Sequence, residues 1–130
     1  MATLNAANMS DNKYQGEAGN LSIAEAIVQF GTETVAAAGD VINLFELSAG
    51  MRINRVAVVN AALGTGVVGQ IKSGAKVLVN SQALSTAGNA DIPIEPYSTL
   101  VDKEIVSITV SGGAPTGKLV VYVYFVAEGV

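Results

Sequence analysis

Residues 39–60 read GDVINLFELSAGMRINRVAVVN and contain the two segments that decide the fold. The corner Ser48-Ala49-Gly50-Met51 separates the apolar run 41–47 from the run 52–60. Both runs are rich in the β-branched and aromatic residues that favour strands. In the second run, alternation places residues 53, 55, 57 and 59 on one face and 52, 54, 56 and 58 on the other. We expect the two runs to form a hairpin-like corner that helps to build the core of a β protein.

Short apolar segments separated by Gly, Asn, Ser and Pro continue along the chain. They span residues 21–30, 67–72, 75–80, 83–87, 104–110 and 119–127. The pattern of 21–30 fits a helical face as well as a strand, and a strand is preferred because the segment is short and ends at Gly31. Segment 89–100 contains Pro93 and Pro96, which cannot donate hydrogen bonds to a central ladder, so an extended crossing or edge segment is expected. Seven or eight short strands without a convincing helix predict an all-β fold, either an antiparallel β-sandwich or a jelly roll.

The first 20 residues differ from the rest because they are polar and small. We interpret residues 1–20 as an N-terminal arm and residues 21–130 as a single β-sandwich domain. The arm is either a frayed terminus or a segment that orders against a neighbouring subunit. It also lacks the basic start and apolar core of a signal peptide, which predicts a protein made and used without secretion.

Composition excludes several classes of function. Half of the 130 residues are apolar and 14% are charged, against about 25% in an average soluble domain, so part of the surface is expected to meet protein. The absence of His and Cys removes the commonest general base, thiolate chemistry and the usual zinc ligands. Seven scattered basic residues and a net charge of −4 argue against nucleic-acid binding. No apolar run is long enough for a membrane-spanning helix. We predict no enzyme activity, no nucleic-acid partner and no membrane partner.

Local motifs indicate no cofactor or metal site. Residues 64–69 fit the dinucleotide pattern G-x-G-x-x-G, but Gly74 and β-type residues follow where the pattern needs a helix. A glycine-rich turn accounts for every residue there. Asp91 and Glu95 lie close together, yet no third oxygen ligand is nearby. We predict that these carboxylates belong to a solvated loop, and that residues 102–104 form a solvated turn.

The segment 119–127 is apolar on both faces, so each face needs cover. We expect Tyr122 and Tyr124 to face a partner, because aromatic residues are enriched in interfaces. Arg52 and Arg55 predict a surface salt bridge or a contact with a partner's acidic patch. The arm, the loops 89–100 and 111–117 and this strand supply the predicted interface residues, which are Leu4, Met9, Tyr14, Pro93, Pro96, Tyr97, Tyr122 and Tyr124.

Two blocks of the sequence resemble small virion proteins of tailed bacteriophages, of the capsid cement or decoration type. Residues 39–66 have a Gly-Asp-Val start, an LFEL strand end, a Ser-Ala-Gly corner where the pattern often has Pro-Ala-Gly, and the turn Asn-Ala-Ala-Leu-Gly. Residues 107–128 have a strand, the loop SGGAPTG and a last apolar strand. The resemblance implies a jelly-roll-like protein that binds the outside of the capsid and holds the shell against internal DNA pressure.

The partners that this resemblance implies are the major capsid protein and further copies of the chain, as a dimer or trimer. The expected location is the capsid surface, after synthesis in the host cytoplasm. Two other functions stay open. One is a head–tail or tail fibre component of the virion. The other is a carbohydrate-binding β-sandwich module, although the chain has no Trp and only four Tyr on which sugars could stack.

Overall fold

The computed structural model describes residues 3–6, 21–31 and 36–127. This part of the chain contains nine strands and no helix. The strands are β1 (Thr3–Asn5), β2 (Leu21–Phe30), β3 (Val41–Leu47), β4 (Met51–Asn60), β5 (Val68–Ser73), β6 (Lys76–Ala83), β7 (Gly88–Ser98), β8 (Glu104–Ser111) and β9 (Gly117–Ala127).

The strands form two sheets that enclose one apolar core. The four-stranded sheet has the order β2-β9-β4-β7, and the five-stranded sheet has the order β1-β3-β8-β5-β6. The antiparallel pairs β2/β9, β3/β8 and β4/β7 nest around the hairpin β5/β6. This nesting is the jelly-roll topology, to which β1 adds an edge strand parallel to β3. The all-β prediction is therefore confirmed, and the strand order selects the jelly roll.

The core uses every phenylalanine of the chain. Phe30, Phe45 and Phe125 are each at most 2% exposed. In the central strand β9, the inward residues alternate with half-exposed Tyr122 and Tyr124. The strand that is apolar on both faces in the sequence therefore buries one face in the core and turns the other outward.

The corner at residues 48–50 carries the chain from one sheet to the other. The predicted hairpin-like pairing is wrong, because β3 and β4 lie in different sheets. Buried Thr99 holds the corner: its hydroxyl accepts from the Met51 N–H at 2.9 Å and donates to the Ser48 carbonyl at 2.6 Å. The Thr99 carbonyl also accepts from the Gly50 N–H at 3.1 Å.

A bulge in β4 changes which side chains share a face. The pairing register shifts between Ile53 and Arg55 against both neighbouring strands. Arg52 and Arg55 are consequently both exposed, whereas Ile53 and Val56 are both buried. The predicted alternation, with Arg52 and Arg55 on opposite faces, is wrong because the bulge adds one residue to the period.

The segment 83–87 was also predicted as a strand, but β6 ends at Ala83 and the next residues form a connection to β7. Leu84 is fully buried in this connection. Its N–H donates to the Val67 carbonyl at 2.9 Å, and its carbonyl accepts from the Leu63 N–H at 3.0 Å. Leu84, which suggested a strand in the sequence, instead packs into the core at this end of the sandwich. By contrast, the expected edge segment at 89–100 is confirmed as the edge strand β7.

The turn motifs of the two blocks that resemble phage proteins meet at this same end. The Thr116 N–H donates to the Leu63 carbonyl at 3.0 Å, and Gly112 lies against the carbonyl of Gly66. The buried Asn60 amide donates to the carbonyls of Ala61, at 2.8 Å, and Thr86, at 3.0 Å. These motifs therefore close the sandwich, and their role is structural.

The start of the predicted arm is attached to the five-stranded sheet. The Ala6 N–H donates to the Asn43 carbonyl at 2.8 Å, and Leu4 is half-buried against the core. Met9 and Tyr14 lie outside the described residues, so the division into an arm (1–20) and a domain (21–130) stays a prediction.

Candidate protein-binding surfaces

The outer face of the four-stranded sheet is unusually apolar. Exposed side chains of β2 carry much of it: Leu21 is 60% exposed, Ile23 53% and Ile27 36%. Across the sheet, Ile23 lies opposite Tyr124, and Ile27 lies opposite Val120. We call this surface the apolar sheet face; it comprises Leu21, Ile23, Glu25, Ile27, Arg52, Arg55, Ala57, Val59, Asn89, Asp91, Pro93, Val120, Tyr122, Tyr124 and Val126.

The charges on the apolar sheet face balance, with two arginines and two carboxylates. Arg55 Nε lies 3.2 Å from Asp91 Oδ1, and both side chains are about half exposed or more. Tyr122 pairs with Glu25; desolvation and this carboxylate together raise the pKa of Tyr122. Exposed pairs of this kind contribute little to stability, because water screens them. Together, these charged residues leave the apolar sheet face with no net formal charge, although the protein as a whole is acidic.

A second surface lies at the end of the sandwich that contains the 48–50 corner. There the loop between β7 and β8 holds Leu100 76% exposed and Val101 58% exposed. These two side chains, with Ile105 and Tyr97, line a depression of about 690 Å³ that the β5–β6 turn completes. Lys76 and Lys103 stand at its rim. We call this depression the loop-end pocket.

Glu104 forms the floor of the loop-end pocket. It is 5% exposed, and its carboxylate accepts hydrogen bonds from the Ser73 hydroxyl at 2.6 Å, the Tyr97 hydroxyl at 2.9 Å and the Leu100 N–H at 2.9 Å. Burial works to raise the pKa of Glu104, but these hydrogen bonds outweigh it and hold the pKa below its usual value. The predicted solvated turn at 102–104 is therefore wrong for Glu104, which ties three strands and a loop together.

Tyr97 should titrate late because of this arrangement. Burial and the neighbouring Glu104 carboxylate raise the pKa of Tyr97 to about 12, since both disfavour the phenolate. After a rapid pH jump, tyrosinate absorbance should include one component with a midpoint near that value. Tyr97→Phe should remove this component and Glu104→Gln should move it to lower pH. An unchanged high-pH component in both variants would contradict the hydrogen bond.

The predicted interface residues lie in several places. Tyr122, Tyr124 and Pro93 are on the apolar sheet face, and Pro96 is exposed on β7. Tyr97 instead points inward to Glu104, and Leu4 is half-buried in its own core. The interface role of all these residues stays a prediction. Neither Leu100 nor Val101 was predicted, although two adjacent apolar residues directly after a Ser-Thr turn were the available signal.

The other motifs considered in the sequence are the glycine-rich stretch 64–69 and the carboxylates near residue 91. Residues 64–69 form a turn and the start of β5. Asp91 and Glu95 lie on strand β7, so the predicted solvated loop is wrong, and Asp91 is the partner in the salt bridge predicted for Arg55. Within residues 3–6, 21–31 and 36–127, no group of three potential metal ligands comes together. The same residues contain no helix that could cross a membrane.

The fold of the chain is similar to those of several solved structures. No family model and no curated protein sequence matches the chain. A chain in the capsid of Ralstonia phage GP4 is 15% identical with a TM-score of 0.75, over 98% of this chain and 99% of that one. A chain in the cyanophage Pam1 capsid asymmetric unit is 17% identical with a TM-score of 0.68, over 88% of this chain and 90% of that one.

A third similar chain comes from the acidic stable capsid structure of Helicobacter pylori bacteriophage KHP30. It is 14% identical with a TM-score of 0.63, over 87% of this chain and 92% of that one. At these identities the likeness shows a shared fold. The fold and the surfaces together define a small jelly-roll protein with two exposed apolar patches.

Proposed function

We propose that the chain is a non-enzymatic structural protein of a bacteriophage virion, of the cement or decoration type. It binds the outside of the capsid, where its partners are the major capsid protein and other copies of itself. The observation that carries this proposal is the likeness in fold, over nearly the whole of both chains, to a chain of the Ralstonia phage GP4 capsid. The resemblance of the two blocks at residues 39–66 and 107–128 to phage cement proteins also supports it.

The apolar sheet face is the main protein-binding surface in this proposal. Its exposed Ile, Leu and Tyr side chains are typical of the centre of an interface. Its balanced charges allow a second copy or a shell protein to approach without like-charge repulsion.

The size of this face explains why one contact would be weak. Three gaps of about 4.8 Å between strands and six steps of about 3.3 Å along them give roughly 15 by 20 Å between Cα atoms. A face of about this extent lies toward the small end of stable interfaces, which bury ~800 Å² of accessible surface per partner. Attachment to a capsid therefore relies on several contacts made at once, which a repeating shell supplies through high effective concentration.

Co-sedimentation tests the proposal. The purified protein is mixed with capsids of its own virus that have been stripped of it, and the bound copies are counted after a density gradient. We expect saturation at shell-wide copy numbers, and capsids that then retain DNA to a higher temperature, because a protein that binds the assembled state stabilises it. Saturation at the copy number of a single ring would replace the cement role with a head–tail role. No binding would overturn the proposal.

A further inference from the structure

Two large apolar side chains of the loop-end pocket, Leu100 and Val101, are exposed to solvent. Leu100 and Val101 are more exposed than almost every other large apolar side chain among the described residues. Exposing them forgoes the burial energy that these side chains normally contribute. Adjacent exposed apolar residues of this kind mark interaction sites more often than isolated ones do.

The loop that carries them is fixed at both ends. Thr99 is bonded to the 48–50 corner through its hydroxyl and its backbone, and the Glu104 carboxylate accepts from the Leu100 N–H. Between them, Lys103 adopts a φ of 59°, a left-handed conformation that is uncommon for a residue other than glycine. Asp102 accepts from the Ala49 N–H at 3.3 Å and so turns toward the corner. The pocket is therefore preorganised, which lowers the entropy cost of binding.

The lining of the pocket carries two lysines, Lys76 and Lys103, against one carboxylate, Glu104, which gives it a net formal charge of +1. Lys76 and Lys103 stand at the rim, and the Glu104 carboxylate is buried beneath them with its hydrogen bonds satisfied. Glu46, the cross-strand neighbour of Ile105, shares the outer face of the sheet with that residue, and its strand β3 lies on the side of β8 away from β5 and β6. The chain as a whole has a net charge of −4, so this basic rim differs in sign from the molecule. It favours a partner segment that carries carboxylates beside apolar side chains.

A second copy of the chain does not offer such a segment on its apolar sheet face. There the two carboxylates, Glu25 and Asp91, are already paired with Tyr122 and Arg55. Breaking those pairs would offset the gain from meeting the lysines. A different chain is therefore a better occupant than the apolar sheet face of a second copy.

We propose that the loop-end pocket receives an extended segment of the shell protein, with an Asp or Glu placed beside a bulky apolar residue. This inference rests on the proposed capsid role and adds a second contact to the apolar sheet face. The apolar side chain sits against Leu100, Val101 and Ile105. The carboxylate sits at the rim between Lys76 and Lys103.

Matched variants in the capsid-binding assay test the pocket. Leu100→Ser should weaken binding about tenfold or more, because it removes the apolar wall. Lys76→Glu should weaken it to a similar degree and reduce its dependence on salt, because a rim attraction is lost. The controls are Val77→Ser, on the neighbouring edge strand, and Lys72→Glu, on the five-stranded sheet outside the pocket lining; both should bind as the parent does.

The outcomes separate the two proposals. If the parent protein does not bind capsids, the proposed function fails. If the parent binds and the pocket variants match their controls, the pocket assignment alone is overturned. A photoreactive side chain at position 101 gives a direct readout in assembled particles. We expect a cross-link to an acidic segment of the shell protein; a cross-link to a second copy, or none, would overturn the choice of occupant.

Discussion

Ile23→Asp and Tyr124→Asp, which place carboxylates at neighbouring positions of the apolar sheet face, are expected to abolish attachment to the capsid. Ile23 and Tyr124 face one another across the edge strand β2 and its neighbour β9. Truncating an interface hot spot of this type typically costs about 2 kcal/mol or more, which corresponds to roughly a 30-fold weaker affinity. Burying a new carboxylate adds a desolvation cost. Each single variant should therefore lose at least that factor, and the double variant should not co-sediment at all.

A variant on the other sheet controls for general effects of charge on a strand. Thr109→Asp places a carboxylate at a half-buried outward position of β8, in the five-stranded sheet. Its thermal midpoint should resemble those of the two test variants, while its capsid binding should stay near that of the parent. Equal losses of binding in all three variants would show that the apolar sheet face has no special role.

Gly112→Ala is expected to be among the most destabilising single substitutions in the chain. A Cβ at Gly112 would run into the carbonyl of Gly66, and the backbone φ there is +87°. Gly39 provides a matched control because its φ is +90° and a Cβ there would meet nothing within 4 Å. Gly39→Ala should therefore cost only the left-handed conformation, about 1–2 kcal/mol. Gly112→Ala should cost about 3 kcal/mol more, because two backbone segments must move apart.

Chemical denaturation of the two variants measures this difference. A gap of about 3 kcal/mol in the free energy of unfolding would confirm that the 64–66 and 112–116 loops are pressed together. Equal losses in the two variants would contradict the close approach and would leave only the conformational cost that they share.

Most strands were predictable because their segments are short, rich in β-branched or aromatic residues and bounded by turn residues. Segments 21–30, 104–110 and 119–127 all became strands, and Pro93 and Pro96 correctly marked an edge. What the alternation could not reveal was the pairing. The two runs at 41–47 and 52–60 are joined by a short corner, and a short corner suits a hairpin as well as a passage between sheets. Only the fit of the whole core decides between them.

The bulge in β4 and the Glu104 cluster had no local signal. A bulge is one extra residue, and the sequence around Asn54 shows nothing that requires it there. Glu104 sits in the run Asp-Lys-Glu, which reads as a solvated turn. Its burial depends on hydroxyls supplied by Ser73 and Tyr97, which reach it only in the folded chain.

Among the predicted binding residues, some positions could be derived from the sequence and others could not. The sequence was sufficient to predict that Tyr122 and Tyr124 point outward, because both faces of this apolar strand need a protein surface against them. Tyr97 looked equally suitable as an interface aromatic, yet a buried carboxylate binds its hydroxyl. Leu100 and Val101 are adjacent apolar residues in the sequence, but their exposure depends on the hydrogen bonds that hold the loop at Thr99 and Glu104.

Counting copies in purified virions tests the central claim most directly. Quantitative mass spectrometry of intact particles gives the number of these chains per copy of the major capsid protein. A cement role predicts a ratio that is constant between preparations and of the order expected for sites distributed over the whole shell. Absence of the chain from purified virions would contradict the account.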